Sequence, residues 1–168
     1  MTEMTRRSGG YSDATGQDGI ASWPLLLRAI VGYGFIAHGL AKLFRGPVAF
    51  ASILQALHVP WPYLMAWATI LVELIGGVAV MIGAFVWAAS IPMAAVLLVA
   101  MFTVHLPYGF SSIKLIAVTA AGAQFGPPGY EIDLLYIACL AALVIGGSGP
   151  FSLDGVLAEQ RYRLRGDL

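Results

Sequence analysis

LLLRAIVGYGFIAHGLAKLF, residues 25–44, is apolar over a length that crosses a bilayer, yet Arg28, His38 and Lys42 interrupt it. About 20 mostly apolar residues at ~1.5 Å each traverse the hydrocarbon core. An ionisable group at that depth is costly, so it faces a partner or a cavity rather than lipid. Arg28 and Lys42 stand 14 positions apart, which places them within about 40° of one another on a helix turning ~100° per residue. Gly32, Phe35 and Gly39 lie along the same stripe. This face is charged at its ends and mostly small between them, a surface suited to other helices.

The composition agrees with a membrane protein. Of 168 residues 59% are hydrophobic and only 11% charged, and the mean hydropathy is +0.82, which excludes an ordinary soluble domain. Net charge is zero, so nothing points to nucleic acid. The single cysteine, Cys139, lies in an apolar run and is assigned to packing. It excludes an intramolecular disulfide and a CxxC thiol relay. No spacing of metal ligands is present, and no metal is expected.

The fold expected is all-α, an integral membrane bundle of four transmembrane helices within residues 23–157, with spans at about 23–44, 63–82, 86–106 and 130–146. Residues 1–22 are polar and read as a disordered tail. Arg6 and Arg7 before a hydrophobic run resemble a secretory signal, but the run exceeds an h-region of ~7–15 residues. Residues 48–57 read as a short interfacial helix, ended by Pro60-Trp61-Pro62. Pro92 suggests a kink in the third span. Residues 111–125 are too short to span and read as an interfacial or re-entrant segment lying over the helix ends. Residues 158–168 form a charged C-terminal tail. Four spans put both termini on one side, with Arg6, Arg7, Arg161, Arg163 and Arg165 against Lys42, Arg45 and Lys114 opposite, which favours cytoplasmic termini.

Alternating helix directions sort the ionisable residues into two layers. The outer layer holds His38, Lys42, His105, Glu131 and Asp133, and the inner layer holds Arg28, Glu73 and Asp154. Counted from the span ends, Arg28 and Glu73 differ in depth by only about 6 Å, so they are expected to pair. Gly76 and Gly77, following Glu73, mark the expected contact of the first two helices along with Gly32 and Gly39. Each reading has a bland counterpart: a buried Arg–Glu pair can merely fix register, and a helix-end histidine commonly bonds a carbonyl or headgroup. His38 and His105 also fit axial haem ligation, although their spacing does not single it out. His58, in the first loop, reads as exposed.

Together, LLLRAIVGYGFIAHGLAKLF, ELIGG (residues 73–77, then Gly83), HLPYGF (105–110), GYE (129–131) and GSGPFSLDGVL (147–157) resemble the DoxX family of small four-helix membrane proteins. The resemblance runs from Trp23 to Leu157; no single motif is very specific, but their order and spacing are. It implies a bundle in a prokaryotic cytoplasmic membrane. Relatives are linked to thiosulfate:quinone oxidoreductase and to membrane complexes that answer thiol and oxidative stress. Arg28, His38, Gly39, Lys42, Glu73, Gly77, His105, Glu131 and Asp154 match the family's recurrent polar or glycine places. Residues 111–128 are longer than in a typical member, and such an excursion suits a partner or substrate contact particular to this chain.

Two classes of function follow. In the first, the chain is the membrane subunit of an oxidoreductase or redox-stress system, with a quinone or small-molecule pocket between helices. His38 or His105 would donate to a quinone carbonyl, Glu131 relay protons, and Lys42 stabilise developing negative charge. The sequence carries no flavin, iron–sulfur or dinucleotide motif, so no intrinsic cofactor is expected and a redox partner protein would supply electrons. In the second, the chain is a non-catalytic scaffold whose buried charges fix the bundle. A third reading, transport of a small anion attracted by Arg28 and Lys42, would need a homo-oligomer, because four helices leave little room for a path.

Overall fold

The computed structural model describes residues 22–149 and 151–166, the last six of them as backbone. The expected polar tail, with Arg6 and Arg7, lies outside the described residues except for Ser22. Among the described residues the chain is helical throughout except for one hairpin and the connecting turns. Its order is α1 (Trp23–Arg45), α2 (Pro47–Ala56), α3 (Pro62–Ile82), α4 (Val86–Ala100), β1 (Leu115–Thr119), β2 (Gly122–Phe125), α5 (Glu131–Gly146) and α6 (Leu153–Gly166).

Prolines start three of these helices, and glycines end three, Gly147 closing α5. Pro24, Pro47 and Pro62 occupy first-turn positions of α1, α2 and α3, where the missing N–H costs nothing and the fixed φ is already helical. Gly46 at φ 101° closes α1, and Gly83 at φ 70° closes α3. Lys42 and Arg45 sit in the last turn of α1, where cations complement the helix dipole.

Among the described residues three helices are long and apolar enough to cross a membrane: Trp23–Arg45, Pro62–Ile82 and Val86–Tyr108. The third continues α4 through a π-helical stretch, Met101–His105, and a 3-10 turn, Leu106–Tyr108. The 16 residues of α5 are equally apolar but correspond to only about 24 Å of rise. Short α2 lies against α3, with Ala51 and Leu54 packed around the buried Ala66.

Polarity is distributed inside out relative to a soluble protein. Leu26, Ile75, Trp87, Ile91, Leu135 and Ile145 are exposed, whereas Arg28, Glu73 and Asp133 are buried. The core itself joins Val31 and Phe35 of α1, Val80 of α3, Val86 and Met93 of α4, and Leu140 and Leu143 of α5. This pattern fits a bundle whose outer surface meets lipid tails and whose few charges are satisfied internally.

The charged-and-small stripe of α1 does face inward: Arg28, Val31, Gly32, Gly34, Phe35 and Gly39 are buried. A Cβ on Gly32 would stand 2.6 Å from the Gly77 carbonyl oxygen, and one on Gly39 2.9 Å from Leu74 and 3.2 Å from the Glu73 Cβ. Backbones that close leave no room for any other residue, so these contacts fix the antiparallel register of α1 against α3. Gly76 turns the other way, toward Met93 of α4, where a Cβ would meet the side chain at 2.9 Å. Gly77 thus lies against α1 and Gly76 against α4, which corrects the expectation that both face the first helix.

Residues 111–125 contain an antiparallel hairpin with an irregularity between Leu115 and Ala117. Its base is tied to the start of α5, where the N–H groups of Gly129, Tyr130 and Glu131 donate to the carbonyls of Ser111, Gly109 and Phe110 at 3.0–3.1 Å.

Candidate functional site

Among the described residues the buried ionisable side chains and their partners gather in three places. At the end of the bundle where α3 turns into α4, the segment before α6 folds back over the turn. The Asp154 carboxylate accepts hydrogen bonds from the Phe85 N–H at 2.8 Å and the Val86 N–H at 3.2 Å, and from the Ser148 hydroxyl at 3.0 Å. It thereby caps the first turn of α4 from 68 residues away in sequence, satisfying N–H groups that a helix cannot satisfy itself. Phe85 needs this support, because a bulky residue at φ 48° is strained by roughly 1 kcal/mol or more. The Asp154 N–H in turn donates to the Gly83 carbonyl at 2.9 Å.

Arg28 reaches the same knot from α1 and donates to the Phe151 carbonyl at 3.2 Å. A Cβ on Gly83 would collide with its guanidinium and lie 2.5 Å from the Ser152 Cβ. Burial alone would raise the Asp154 pKa, but the two backbone N–H groups, the Ser148 hydroxyl and the Arg28 charge outweigh it and hold the carboxyl below its ordinary value.

Toward the other end of α1, Lys42 meets Glu73, with Nζ 2.7 Å from each carboxylate oxygen. The Glu73 side chain is 6% exposed and that of Lys42 24%. The ammonium also lies 5.5 Å from the centre of the Phe50 ring of α2, a cation–π contact. His38, exposed on α1, is the other cationic-capable neighbour of Glu73.

This corrects the expected Arg28–Glu73 pair. The register through Gly32–Gly77 and Gly39–Leu74 puts Glu73 level with Gly39, eleven residues beyond Arg28, or about 16 Å of helix rise. Counting depth from the span ends assumed that the start of α1 and the end of α3 lie at equal heights. The close glycine contacts shift them, so the carboxylate goes to Lys42 and the guanidinium to the α6 knot, beside Asp154.

The third place lies between α4 and α5. His105 Nδ1 is 2.5 Å from Asp133 Oδ2, with side chains 21% and 3% exposed. The inward stripe of α4 runs Val86, Ser90, Met93 and Met101. His105 follows Met101 by four residues, about 40° round a regular helix from that stripe. The π-helical stretch that ends at His105 takes an extra residue into each hydrogen-bonded ring, and the imidazole meets Asp133 of α5. With the Asp133 carboxylate accepting from Nδ1–H, the tautomer is set and Nε2 is left as the ring's remaining hydrogen-bonding atom. Glu131 is two residues away but exposed, and its Oε2 accepts from the Ser112 N–H at 2.9 Å, so it fastens the hairpin base.

His38, Lys42, His105 and Glu131 therefore do not form one constellation. They divide among the Glu73 site, the Asp133 site and the hairpin anchor. Asp133 is the site residue that sequence reasoning placed in the outer layer but did not choose. Asp133, Tyr136, Leu140 and Leu143 recur at helical spacing and face inward together, a stripe that Glu131 does not share. Tyr136 packs edge-on against Phe35 at 5.7 Å between ring centres.

Among the described residues no group of three or more His, Cys, Asp or Glu converges as a metal site. Two open grooves run along α3, one of about 410 Å³ lined by Leu74, Ile75, Val78, Ala79, Ile82 and Ala84. The other, about 240 Å³, adds Ala89 and Pro92 of α4. Neither contains an ionisable side chain, so their chemistry suits an acyl or isoprenoid chain more than a headgroup.

The DoxX family model matches residues 23–106, which takes in α1, α2, α3 and α4 as far as His105 and the following Leu106. An uncharacterised protein of Haemophilus influenzae is 28% identical over 130 residues, covering 76% of this chain and 85% of that protein. No solved structure matches the chain. With half of its length matched, including the Lys42–Glu73 pair and Arg28, the chain is a member of the DoxX family of membrane proteins.

Proposed function

We propose that this chain is a four-span subunit of a redox-linked assembly in the cell inner membrane, with both termini cytoplasmic, and that the His105–Asp133 pair is where a quinone headgroup is bound. The observation that carries the reading is a histidine set in tautomer by a buried aspartate, at the end of a π turn, with a fifth of its side chain exposed. Residues Glu131–Gly146 make the fourth crossing. Their length is met by local thinning of the bilayer, with exposed Leu135 and Ile145 against lipid.

In this role His105 takes a proton from water at Nε2, and the Asp133 carboxylate, accepting from Nδ1–H, holds the ring and stabilises the imidazolium. Nε2–H then donates to a quinone carbonyl and gives up its proton on reduction, leaving the neutral ring, and water supplies the second proton of the quinol. The two electrons come from a partner protein, because nothing in this chain's sequence binds a flavin or cluster. The isoprenoid tail stays in lipid or lies along an apolar groove. Lys42 is neutralised by Glu73, which argues against its earlier role beside the quinone and against an anion path using it as an attractant.

A second reading has its own support. Lys42–Glu73 and the Asp154 knot both join elements distant in sequence, as the charges of a purely structural scaffold would. The test is purification from native membranes in mild detergent, followed by extraction and quantification of quinone. The redox reading expects quinone in the wild type, loss in His105→Ala and retention in His38→Ala. Equal content in all three, or none in any, with normal accumulation of each protein, would leave the scaffold reading.

A further inference from the structure

The hairpin between α4 and α5 has a face that is left exposed among the described residues. Cross-strand partners in an antiparallel pair point to the same side, and residues two apart along a strand do so too. The pairs are Leu115 with Phe125, Ala117 with Gln124, Val118 with Ala123, and Thr119 with Gly122. Ala123 and Phe125 share a face, so Val118 and Leu115 share it with them. Residues three apart on a regular strand would face oppositely. The irregularity between Leu115 and Ala117 acts as a bulge and returns Leu115 to the side of Val118. One face is thus Leu115, Val118, Ala123 and Phe125, and the other is Ala117, Thr119, Gly122 and Gln124. On the apolar face Leu115, Val118 and Phe125 are 58%, 74% and 60% exposed.

We propose that this hairpin lies flat on the bilayer surface at its end of the bundle, with the Leu115, Val118 and Phe125 face in the headgroup–acyl boundary and the Gln124 face toward water. Three observations select lipid as the occupant. The segment that leads from the third span to the hairpin is itself apolar and exposed, at Phe102, Leu106, Phe110 and Ile113. Residues 115–130 carry no charge, so burial in the boundary leaves no ion to desolvate. At the root of the hairpin the Lys114 ammonium lies 5.9 Å from the centre of the Tyr108 ring, and lysine and tyrosine are the residue types that hold an element at headgroup level.

The amphipathicity distinguishes this placement from a re-entrant loop, which would be apolar on both faces. The backbone also forbids a deeper one, because each strand of a two-stranded sheet keeps an outer edge of N–H and C=O groups that hydrocarbon cannot satisfy. The headgroup region supplies the water and polar groups those edges need. The inference is independent of the quinone reading, since it concerns only where the hairpin rests.

The test uses the full chain with Cys139→Ala and one added cysteine, Val118→Cys or Gln124→Cys, each carrying a nitroxide. The chains are reconstituted in phosphatidylethanolamine–phosphatidylglycerol vesicles. Collision with oxygen, which concentrates in the acyl region, is compared with collision with a water-soluble nickel chelate. The expected result is a ratio shifted toward oxygen at position 118 and toward the chelate at 124. Leu115→Cys and Ala117→Cys repeat the comparison should a label at 118 or 124 disturb the hairpin. Chelate-dominated values on both faces would overturn the proposal in favour of a hairpin standing in water. Oxygen-dominated values on both would overturn it in favour of re-entry. Protection of position 118 from both probes with spin–spin broadening would overturn it in favour of a second copy.

Discussion

Lys42→Met in otherwise wild-type protein removes one partner of the Lys42–Glu73 pair and leaves a carboxylate that is 6% exposed without its two 2.7 Å contacts. Breaking a buried pair from one side costs about 3–5 kcal/mol, whereas replacing both members by apolar residues of similar volume is close to neutral. Lys42 is a quarter exposed and water can partly solvate the orphaned group, so we expect the lower end, about 3 kcal/mol, for Lys42→Met. The double variant Lys42→Met/Glu73→Leu should lie within about 1 kcal/mol of wild type, and the charge swap Lys42→Glu/Glu73→Lys should recover most of the loss. The assay is reversible unfolding in mixed micelles, followed by circular dichroism, with membrane accumulation as a second readout. Arg28→Met/Glu73→Leu serves as the control and should show no rescue, because Arg28 serves the α6 knot instead. A double variant no better than the sum of its singles, or rescue in the Arg28 combination, would refute the register argued from Gly32 and Gly77.

Further outcomes follow from the same contacts. Gly32→Val should destabilise the bundle by about 1–3 kcal/mol or more, the cost of overpacking, since even a Cβ there meets the Gly77 carbonyl at 2.6 Å; an unchanged unfolding midpoint would contradict it. Asp154→Ala should cost about 1 kcal/mol as a lost cap and loosen the start of α4, seen as faster amide exchange at Phe85 and Val86. The Asp154 carboxyl is held below its ordinary value in the fold, so its contribution is complete above the unfolded pKa of about 3.9 and is lost as pH falls below that through the folded value. Asp154→Asn should flatten that part of the pH–stability profile, and an unaltered profile would show that the carboxylate is not the linked group. Asp133→Asn should lower quinone content as His105→Ala does while leaving the protein folded, because the amide supports the wrong tautomer; the measurement is extracted quinone per folded chain.

The inward stripe of α1 was legible because a 3.6-residue period over a long helix is a strong signal, and Arg28, Gly32, Phe35, Gly39 and Lys42 all sit on it. Which acid meets which base was not legible. Register between antiparallel helices is set by contacts such as Gly32 with Gly77, and these move one helix past the other by amounts that span boundaries do not record. The capping role of Asp154 joins residues 68 positions apart and leaves no local trace. The hairpin was hidden for a different reason: LIAVT shows no strict alternation because the bulge breaks it, and the Ala120-Ala121 tip lacks the Asn-Gly chemistry that announces a tight turn. Asp133, by contrast, was within reach of sequence reasoning, since it shares a helical face with Tyr136, Leu140 and Leu143 and Glu131 does not.

The central claim is that a quinone headgroup meets this chain at His105. It is tested most directly with a photoreactive azidoquinone illuminated in native membranes, followed by mass spectrometry of the purified chain. Covalent label is expected on residues flanking His105 and Asp133, from Met101 to Phe110 and in the first turns of α5, abolished in His105→Ala and competed away by unmodified quinone. Label confined to the α3 grooves, or label at the predicted place that unmodified quinone does not displace, would contradict it.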